Sequence, residues 1–169
     1  MRFIKVIMAA LLLCAATASA NAAEYHWRVK AYIDDAVKLC KEHGGTPGTP
    51  DYEKMVRLID VNNDGKDDYV IDYRHFPCAG GAPNIFCVED SCSISFLSWR
   101  SDNEWMAFMH TGAVEWRVRK GDKPALLLLQ RGDRECNRPH LPTCTKVYTF
   151  RQGTMSGKIQ DAKYFKTAK

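Results

Sequence analysis

Six of the seven cysteines lie beyond residue 22, and they constrain the fold most, because each disulfide fixes two separated backbone segments together. An even number of cysteines in an exported chain predicts three disulfides, for which fifteen connectivities are possible. We favour Cys40 with Cys78, Cys87 with Cys92 across an acidic turn, and Cys136 with Cys144 across a proline-containing loop. A four-cysteine zinc site is disfavoured, because no paired C-x-x-C knuckles occur. If all six cysteines are paired, no thiol remains for catalysis.

The N-terminus has the features of a secretory signal peptide of bacterial style. Arg2 and Lys5 precede an apolar run over residues 6–16, and the small residues at 18–22 offer cleavage sites. We expect residues 1–22 to be the signal and residues 23–169 to form a single globular domain, either periplasmic or secreted. No later segment approaches about 18 apolar residues, so we expect the domain not to span a membrane.

The charge of the chain is nearly balanced. The whole chain carries +4, and removal of Arg2 and Lys5, with no acidic residue, would lower this to +2. Nucleic-acid-binding domains are usually strongly basic and carry a recognisable motif, so nucleic acid is not an expected partner. A hydrophobic content of 46% is typical of a domain with a real core, and no internal repeat or linker divides the chain.

An amphipathic helix is predicted near the new N-terminus. Its apolar residues recur at three- and four-residue spacing: Val29, Ile33, Ala36, Val37 and Cys40. Gly44 and Gly45 should end it. Cys40 would then lie on the buried stripe, where a disulfide to a neighbouring segment is natural.

Strand patterns follow the helix. Residues 56–59 and 69–73 should form a hairpin, and further strands are predicted at 93–99, 105–110, 114–118, 125–130 and 146–151, with a turn at 101–103. Residues 75–93 contain prolines, glycines and three cysteines, and predict a long irregular recognition loop. These elements predict an α+β fold, an N-terminal helix packed on a mostly antiparallel β-meander and stapled by disulfides.

The turn of the first hairpin has the spacing of a calcium loop. Calcium prefers oxygen ligands at positions 1, 3, 5 and 9, a backbone carbonyl at 7 and a glycine at 6 for the sharp turn. Positions 1, 3, 5 and 9 are Asp60, Asn62, Asp64 and Asp68. Position 7 is Lys66, and position 6 is Gly65. The sequence therefore predicts a structural calcium ion. The alternative is a polar hairpin turn, since Asn and Asp tolerate positive φ and bond their own backbone.

The loop departs from an EF-hand, because Ile71 stands where a bidentate Glu belongs and both flanks have strand patterns. The D-x-N-x-D-G-x-x-D spacing instead resembles the shorter loops between strands of FG-GAP and related extracellular bacterial repeats, over about a dozen residues. With the cysteine-rich segment after it, the stretch is also similar to that of other exported bacterial domains. The resemblance implies calcium held between two strands.

The common catalytic motifs are absent from the sequence, so we expect no enzyme. No Gly-x-Ser-x-Gly, Walker, dinucleotide or His-Glu-x-x-His motif occurs. Asp72, Arg74 and His75 are close in sequence, but in a strand the first two share a face that His75 does not. We interpret them as a solvated cross-strand pair and a loop histidine. Carboxylates such as Glu89, Asp90 and Glu104 are too nonspecific a signal for glycoside hydrolysis.

Two groups of side chains offer candidate binding surfaces. Trp99, Trp105 and Trp116 on successive strands could line a sugar- or peptide-binding face, although we favour a core role because Trp is mostly buried. The central segment is locally basic through Arg117, Arg119, Lys120, Lys123, Arg131, Arg134 and Arg138. These cations would suit an acidic partner, or they form a charged outer face that prevents edge pairing.

Two functions agree with these patterns. The first is a noncatalytic periplasmic or secreted interaction module, an inhibitor-like or immunity-like binder of another envelope or secreted protein. The second is a calcium-dependent polysaccharide-binding domain or hydrolase of the cell envelope. In the second, the loop around Asp64 holds the ion beside a cleft built from Trp99, Trp105 or His75.

Overall fold

The structure, a computed structural model, describes residues 25–80, 85–99, 104–137, 142–151 and 154–168. Two antiparallel sheets stack face to face in this part of the chain, and a helix covers the outer face of each. The predicted signal peptide and the predicted turn at 101–103 lie outside the described residues. None of the described helices has the length and apolar character needed to cross a membrane.

Helix α1 (Trp27–Glu42) is the predicted N-terminal helix. Its buried residues are Val29, Ile33, Ala36 and Cys40, the stripe expected from the spacing. His26 caps it, because the ring Nδ1 accepts a hydrogen bond of 3.3 Å from the backbone N–H of Arg28. After the helix the chain turns at Gly44, whose φ of 78° is one that glycine adopts without strain.

The first sheet lies under α1. In chain order the next elements are β1 (Thr46–Pro47), α2 (Tyr52–Met55), β2 (Val56–Ile59), β3 (Asp68–Asp72), a 3₁₀ turn (Tyr73–His75), β4 (Cys78–Ala79), β5 (Cys87–Val88), β6 (Ser91–Trp99) and β7 (Trp105–Ala113). β2 pairs with β3, and β6 pairs with β3, β5 and β7, all antiparallel. β1 and β4 form a separate two-residue ladder. The predicted hairpin of residues 56–59 and 69–73 is therefore confirmed.

The second sheet begins where β7 ends. Its elements are β8 (Glu115–Arg119), β9 (Ala125–Arg131), α3 (Asp133–Cys136), β10 (Thr143–Arg151), β11 (Thr154–Asp161) and α4 (Lys163–Thr167). The strand order is β11-β10-β9-β8. Val114 alone separates β7 from β8, and its N–H donates to the carbonyl of Leu129 at 2.7 Å. The chain thus passes from one sheet to the other within one residue.

The main core fills the space between the sheets. Val70 and Phe96 of the first sheet share this cluster with Leu126 and Leu128 of the second. The opposite face of the first sheet packs on α1, while Phe165 of α4 covers Ala125, Leu127 and Val147 on the second. The predicted α+β class, with an N-terminal helix on mostly antiparallel strands, is confirmed. The division into two stacked sheets and the C-terminal helix were not predicted.

Three disulfides join the pairs favoured from the sequence. Cys40–Cys78 ties α1 to β4, Cys87–Cys92 closes the β5–β6 hairpin, and Cys136–Cys144 ties α3 to β10. The prediction of a wholly irregular segment over residues 75–93 is wrong, because this segment contains β4, β5 and the start of β6. Residues 81–84 within it lie outside the described part of the chain.

Candidate functional site

The acidic loop connects β2 to β3 and is curled by its own side chains. Asp60 accepts hydrogen bonds from the backbone N–H groups of Asp64 and Gly65, at 3.2 and 3.0 Å. The Asn62 side-chain oxygen also accepts from the Asp64 N–H, and Asp64 accepts from the Lys66 N–H, both at 2.9 Å. Gly65 has a φ of 85°, so the sixth position takes the turn that only glycine adopts freely. The oxygen-bearing side chains are therefore held around one turn.

Asp68 is a buried carboxylate beneath this loop, with 0% of its surface exposed. One oxygen, Oδ2, accepts from the N–H groups of Val61 and Asn62, at 2.9 and 3.3 Å. The other, Oδ1, has no hydrogen-bond partner among the described residues. Burial raises the pKa of Asp68 and the negative charge of Asp64 adds to the rise, whereas the Ser98 hydroxyl and the backbone amides of Val61 and Asn62 lower the pKa by a smaller amount. Leaving a buried carboxylate oxygen unsatisfied is costly, so this position favours a proton or a cation.

The loop has enough ligand atoms for calcium only if its uncharged oxygen atoms are counted together with its carboxylates. In the described part of the chain, no group of three or more His, Cys, Asp or Glu side chains could hold a metal ion. To share one ion, Asp60, Asp64 and Asp68 would have to shift toward one another, and the amide oxygen of Asn62 and the backbone carbonyl of Lys66 would complete the ligand set. Such a mixture of carboxylate, amide and carbonyl oxygens is what calcium accepts. Calcium binding by this loop stays a prediction.

A groove of about 710 Å³ opens beside the loop, at the end of the two sheets. Its lining comprises Asn62, Asn63, Asp64, Ser98, Trp99, Met106, Ala107, Phe108, Phe150 and Met155. The Asn62 Nδ2 group donates to Ser98 Oγ at 2.9 Å and to Asp64 Oδ2 at 3.0 Å. One side chain therefore joins the acidic loop to the strand that forms the groove wall.

No family model, curated protein or solved structure matches this chain. The resemblance of the stretch from Asp60 to Asp68 to FG-GAP-like loops therefore stays local. Function has to be inferred from the loop, the groove and the surfaces near them.

The three tryptophans do not form one binding face. Trp116 packs in the core between the sheets, where its ring lies 5.9 Å from that of Phe96. Trp105 packs beneath α1, with its ring centre 4.5 Å from that of Tyr69. Trp99 contacts Trp105 edge-on at 5.4 Å and borders the groove. Of the three, only Trp99 lies beside the acidic loop.

A second cleft of about 700 Å³ holds Asp72, Arg74 and His75. Asp72 is only 7% exposed, and its oxygens accept from the Arg74 N–H at 3.0 Å and from Trp116 Nε1 at 3.2 Å. The Arg74 guanidinium donates to the carbonyls of Ala113 and Val114, at 3.3 and 2.6 Å. The interpretation of Asp72 and Arg74 as a solvated cross-strand pair is therefore wrong. Asp72 instead ties the first sheet to β8 of the second, and Arg74 binds the end of β7 and the connecting residue Val114.

Three arginines of the basic segment are engaged within the molecule. Arg117 donates to the carbonyls of Phe165 and Ala168, and Arg119 donates to the Lys123 carbonyl and the Tyr164 hydroxyl. Arg131 pairs with Glu89 and Asp90 at 2.8 and 2.9 Å, while Glu104 pairs with Arg28 at 3.4 Å. Arg138 lies outside the described residues, and the side chain of Arg134 is not described. Three of the predicted surface cations thus hold strands and helices together.

Sequence reasoning missed most of the groove. Phe108 of β7 is distant in sequence from the cross-strand pair Phe150 of β10 and Met155 of β11, and β11 was not predicted. The one available signal was the alternation of Tyr148 and Phe150 in β10, which places both aromatic rings toward the inter-sheet core.

Proposed function

We propose that this chain is a noncatalytic, exported interaction module that binds another envelope or secreted protein through the groove. The observation that carries the proposal is the apolar lining beside the acidic loop. Met106 and Met155 are 39% and 40% exposed there, next to Phe108 and Phe150. Flexible, polarisable methionines at a surface suit contact with apolar side chains of a partner.

The disulfides support the part of the proposal that concerns export. Three of them staple the domain, and disulfides persist mainly in oxidising compartments such as the periplasm and the extracellular space. An exported module with a stapled scaffold would keep the groove walls in place outside the reducing cytosol.

The arrangement of Asp72 supports binding rather than catalysis. A general acid or base must reach the proton that it transfers, and Asp72 is only 7% exposed and holds the Arg74 N–H and the Trp116 indole in place. His75 lies in the second cleft and is not among the residues that line the groove.

A calcium ion in the acidic loop would brace the groove. Asp60, Asn62, Asp64 and Asp68 would supply side-chain oxygens and Lys66 a carbonyl. The ion would satisfy Asp68 Oδ1 and hold Asn62, whose amide contacts Ser98 on the groove wall. Its role would be structural, because it would fix the β2–β3 turn against β6.

Calcium binding is tested by titrating calcium, and then magnesium, into the chelator-treated oxidised protein by calorimetry. Asp64→Ala should abolish binding, whereas Asp67→Ala should retain it. Asp67 is the matched control because it is an exposed aspartate of the same loop at position 8, which supplies no ligand. Equal loss of binding in both variants would show a general charge effect, and no binding to the unmodified protein would reject the ion.

Protein binding is tested by photo-crosslinking in the native envelope. A photoreactive residue replaces Met155 at the groove or, as the control, Gln160 on the same strand. The two positions are an odd number of residues apart, so they lie on opposite faces of β11. We expect one protein to be captured from position 155 and not from position 160. Identical capture from both positions, or none from position 155, would contradict a groove-mediated partner.

The position of Trp99 favours a second candidate function, that of a calcium-dependent polysaccharide-binding domain. This side chain borders the groove near Asp64, and aromatic rings provide large rigid contact areas for sugars. Titration with soluble peptidoglycan fragments and acidic glycans, followed on Trp99→Ala, separates the candidates. Saccharide binding that Trp99→Ala removes would favour the second candidate over a protein partner.

A further inference from the structure

The groove offers an apolar floor and an acidic rim to an incoming group. Phe108 and Phe150 pack edge-on at 5.9 Å, and the exposed portions of Met106 and Met155 lie beside them. This floor is wide enough for a large apolar side chain, since the groove volume of about 710 Å³ is within the range of ligand pockets, roughly 300–1,000 Å³.

Among the described residues, the charge at the rim of the groove is negative. Asp64 is the one charged side chain among the described residues that line the groove. It belongs to a loop with four aspartates and one lysine between residues 60 and 68, so the loop is net negative. A bound calcium ion would cancel part of this charge without reversing it. A cationic group in the groove is therefore favoured over an anionic one.

The wall that carries the charge is fixed to the floor. Asp64 Oδ2 accepts from Asn62 Nδ2, and the same nitrogen donates to Ser98 Oγ on β6. Ser98 pairs with Met106 across β6 and β7. The Asp64 carboxylate and Met106 on the apolar floor are thus connected through two side-chain hydrogen bonds and one strand pair, which restricts their relative movement.

We infer that the groove takes an apolar segment of a partner protein in which a large apolar side chain is followed closely by Lys or Arg. The apolar side chain lies on Phe108, Phe150 and Met155, and the cation faces Asp64. This inference rests on the proposed function as a protein-binding module, and it adds the chemistry of the segment that is recognised.

The test uses two blocked peptides, acetyl-Phe-Phe-Lys-amide and acetyl-Phe-Phe-Glu-amide, which differ in the sign of one charge. The full oxidised protein, labelled at its methionine methyl groups, is titrated with each peptide in chelator and followed by NMR. We expect saturable shifts of the Met106 and Met155 methyl signals. The lysine peptide should bind about fivefold more tightly than the glutamate peptide.

Two variants assign the preference to one carboxylate. Asp64→Asn keeps a side-chain oxygen for the Lys66 N–H and should remove the preference for lysine. Asp67→Asn makes the same charge change at the neighbouring exposed position and should leave the preference in place. Equal binding of the two peptides, or a preference that survives Asp64→Asn, overturns the inference.

The results distinguish a failure of this inference from a failure of the proposed function. If position 155 crosslinks a partner protein but the peptides bind equally, the groove still binds a protein and the proposed charge recognition is wrong. If the peptides shift methionine signals other than Met106 and Met155, the apolar floor is not the docking surface and the inference is also overturned.

Discussion

The indole Nε1–H of Trp116 donates a 3.2 Å hydrogen bond to Oδ2 of Asp72, and the bond joins the two sheets. Trp116 lies in β8 and Asp72 ends β3, so the residues are 44 positions apart in sequence. Asp72 is 7% exposed, which leaves water little access to replace the indole as a donor. The contact therefore satisfies a buried carboxylate and fixes the sheet packing at the same time.

Trp116→Phe should destabilise the protein by about 1–3 kcal/mol, since it leaves a buried carboxylate oxygen without its donor. The free energy of unfolding, measured by denaturant titration, checks this value. A double-mutant cycle with Asp72→Ala, which removes the acceptor oxygens, provides the control for lost ring area. Strict additivity of the two substitutions would contradict the coupling.

The disulfides should differ in their contributions to stability. Cys40–Cys78 closes a loop with a sequence separation of 38, against 8 for Cys136–Cys144. Under the chain-entropy account, their removal costs about 4 and about 2.5 kcal/mol respectively. Paired Cys→Ala substitutions at each disulfide, compared by denaturant titration, test the order. A larger loss of unfolding free energy on removal of Cys136–Cys144 would show that native packing, and not loop closure, determines how much each disulfide stabilises the protein.

The parts of the fold that could be predicted are those whose sequence shows a local pattern, such as a regular spacing of apolar residues. The stripe of α1 repeats because one helix face packs on one sheet, and the strands of the β2–β3 hairpin flank a loop rich in turn residues. The same stripe places Cys40 on the buried face of the helix, where a disulfide to a neighbouring segment is natural. Each of these inferences needed only residues close in sequence or the placement of one side chain on one face.

The unpredicted parts have no such signal. Strand β11 is exposed along nearly all of its length, so its sequence shows no apolar alternation. Gly157 also weakens the strand pattern of the sequence. The structure needs a glycine at this position, because a Cβ there would lie 2.9 Å from the Tyr148 ring. The carbonyl partners of Arg74 come from residues about 40 positions away. Long-range packing of this kind leaves no mark in a short sequence window.

Gly45 gives the Cys40–Cys78 disulfide its space. A Cβ at this position would lie 2.6 Å from Cys78 Sγ and 2.9 Å from Cys40 Sγ. Gly45→Ala should therefore destabilise the protein by about 1–3 kcal/mol, as overpacking does. Thermal and denaturant unfolding measure the loss. The same substitution in a Cys40→Ala, Cys78→Ala background is the control, and an undiminished cost there would mean that the sulfur atoms are not the obstacle.

Asp68 should make stability depend on pH in opposite ways with and without calcium. Burial raises the pKa of Asp68 in the folded protein above its ordinary value of 3.8, so the folded state holds the proton more tightly than the unfolded state. In chelator, this contribution to stability is present below about pH 3.8 and is lost as the pH rises through the raised pKa. A calcium ion in the loop would bind the ionised carboxylate, so added calcium should restore stability at neutral pH.

Asp68→Asn separates these effects. Its amide oxygen can still accept from the N–H groups of Val61 and Asn62, while the buried negative charge is removed. In chelator at neutral pH the variant should be more stable than the unmodified protein by about 1–2 kcal/mol, and in calcium the order should reverse. Thermal melts from about pH 4 to about pH 7 measure both, with the exposed Asp67→Asn as the matched charge control. Parallel pH profiles for the unmodified protein and Asp68→Asn in chelator would show that the buried oxygen carries no penalty.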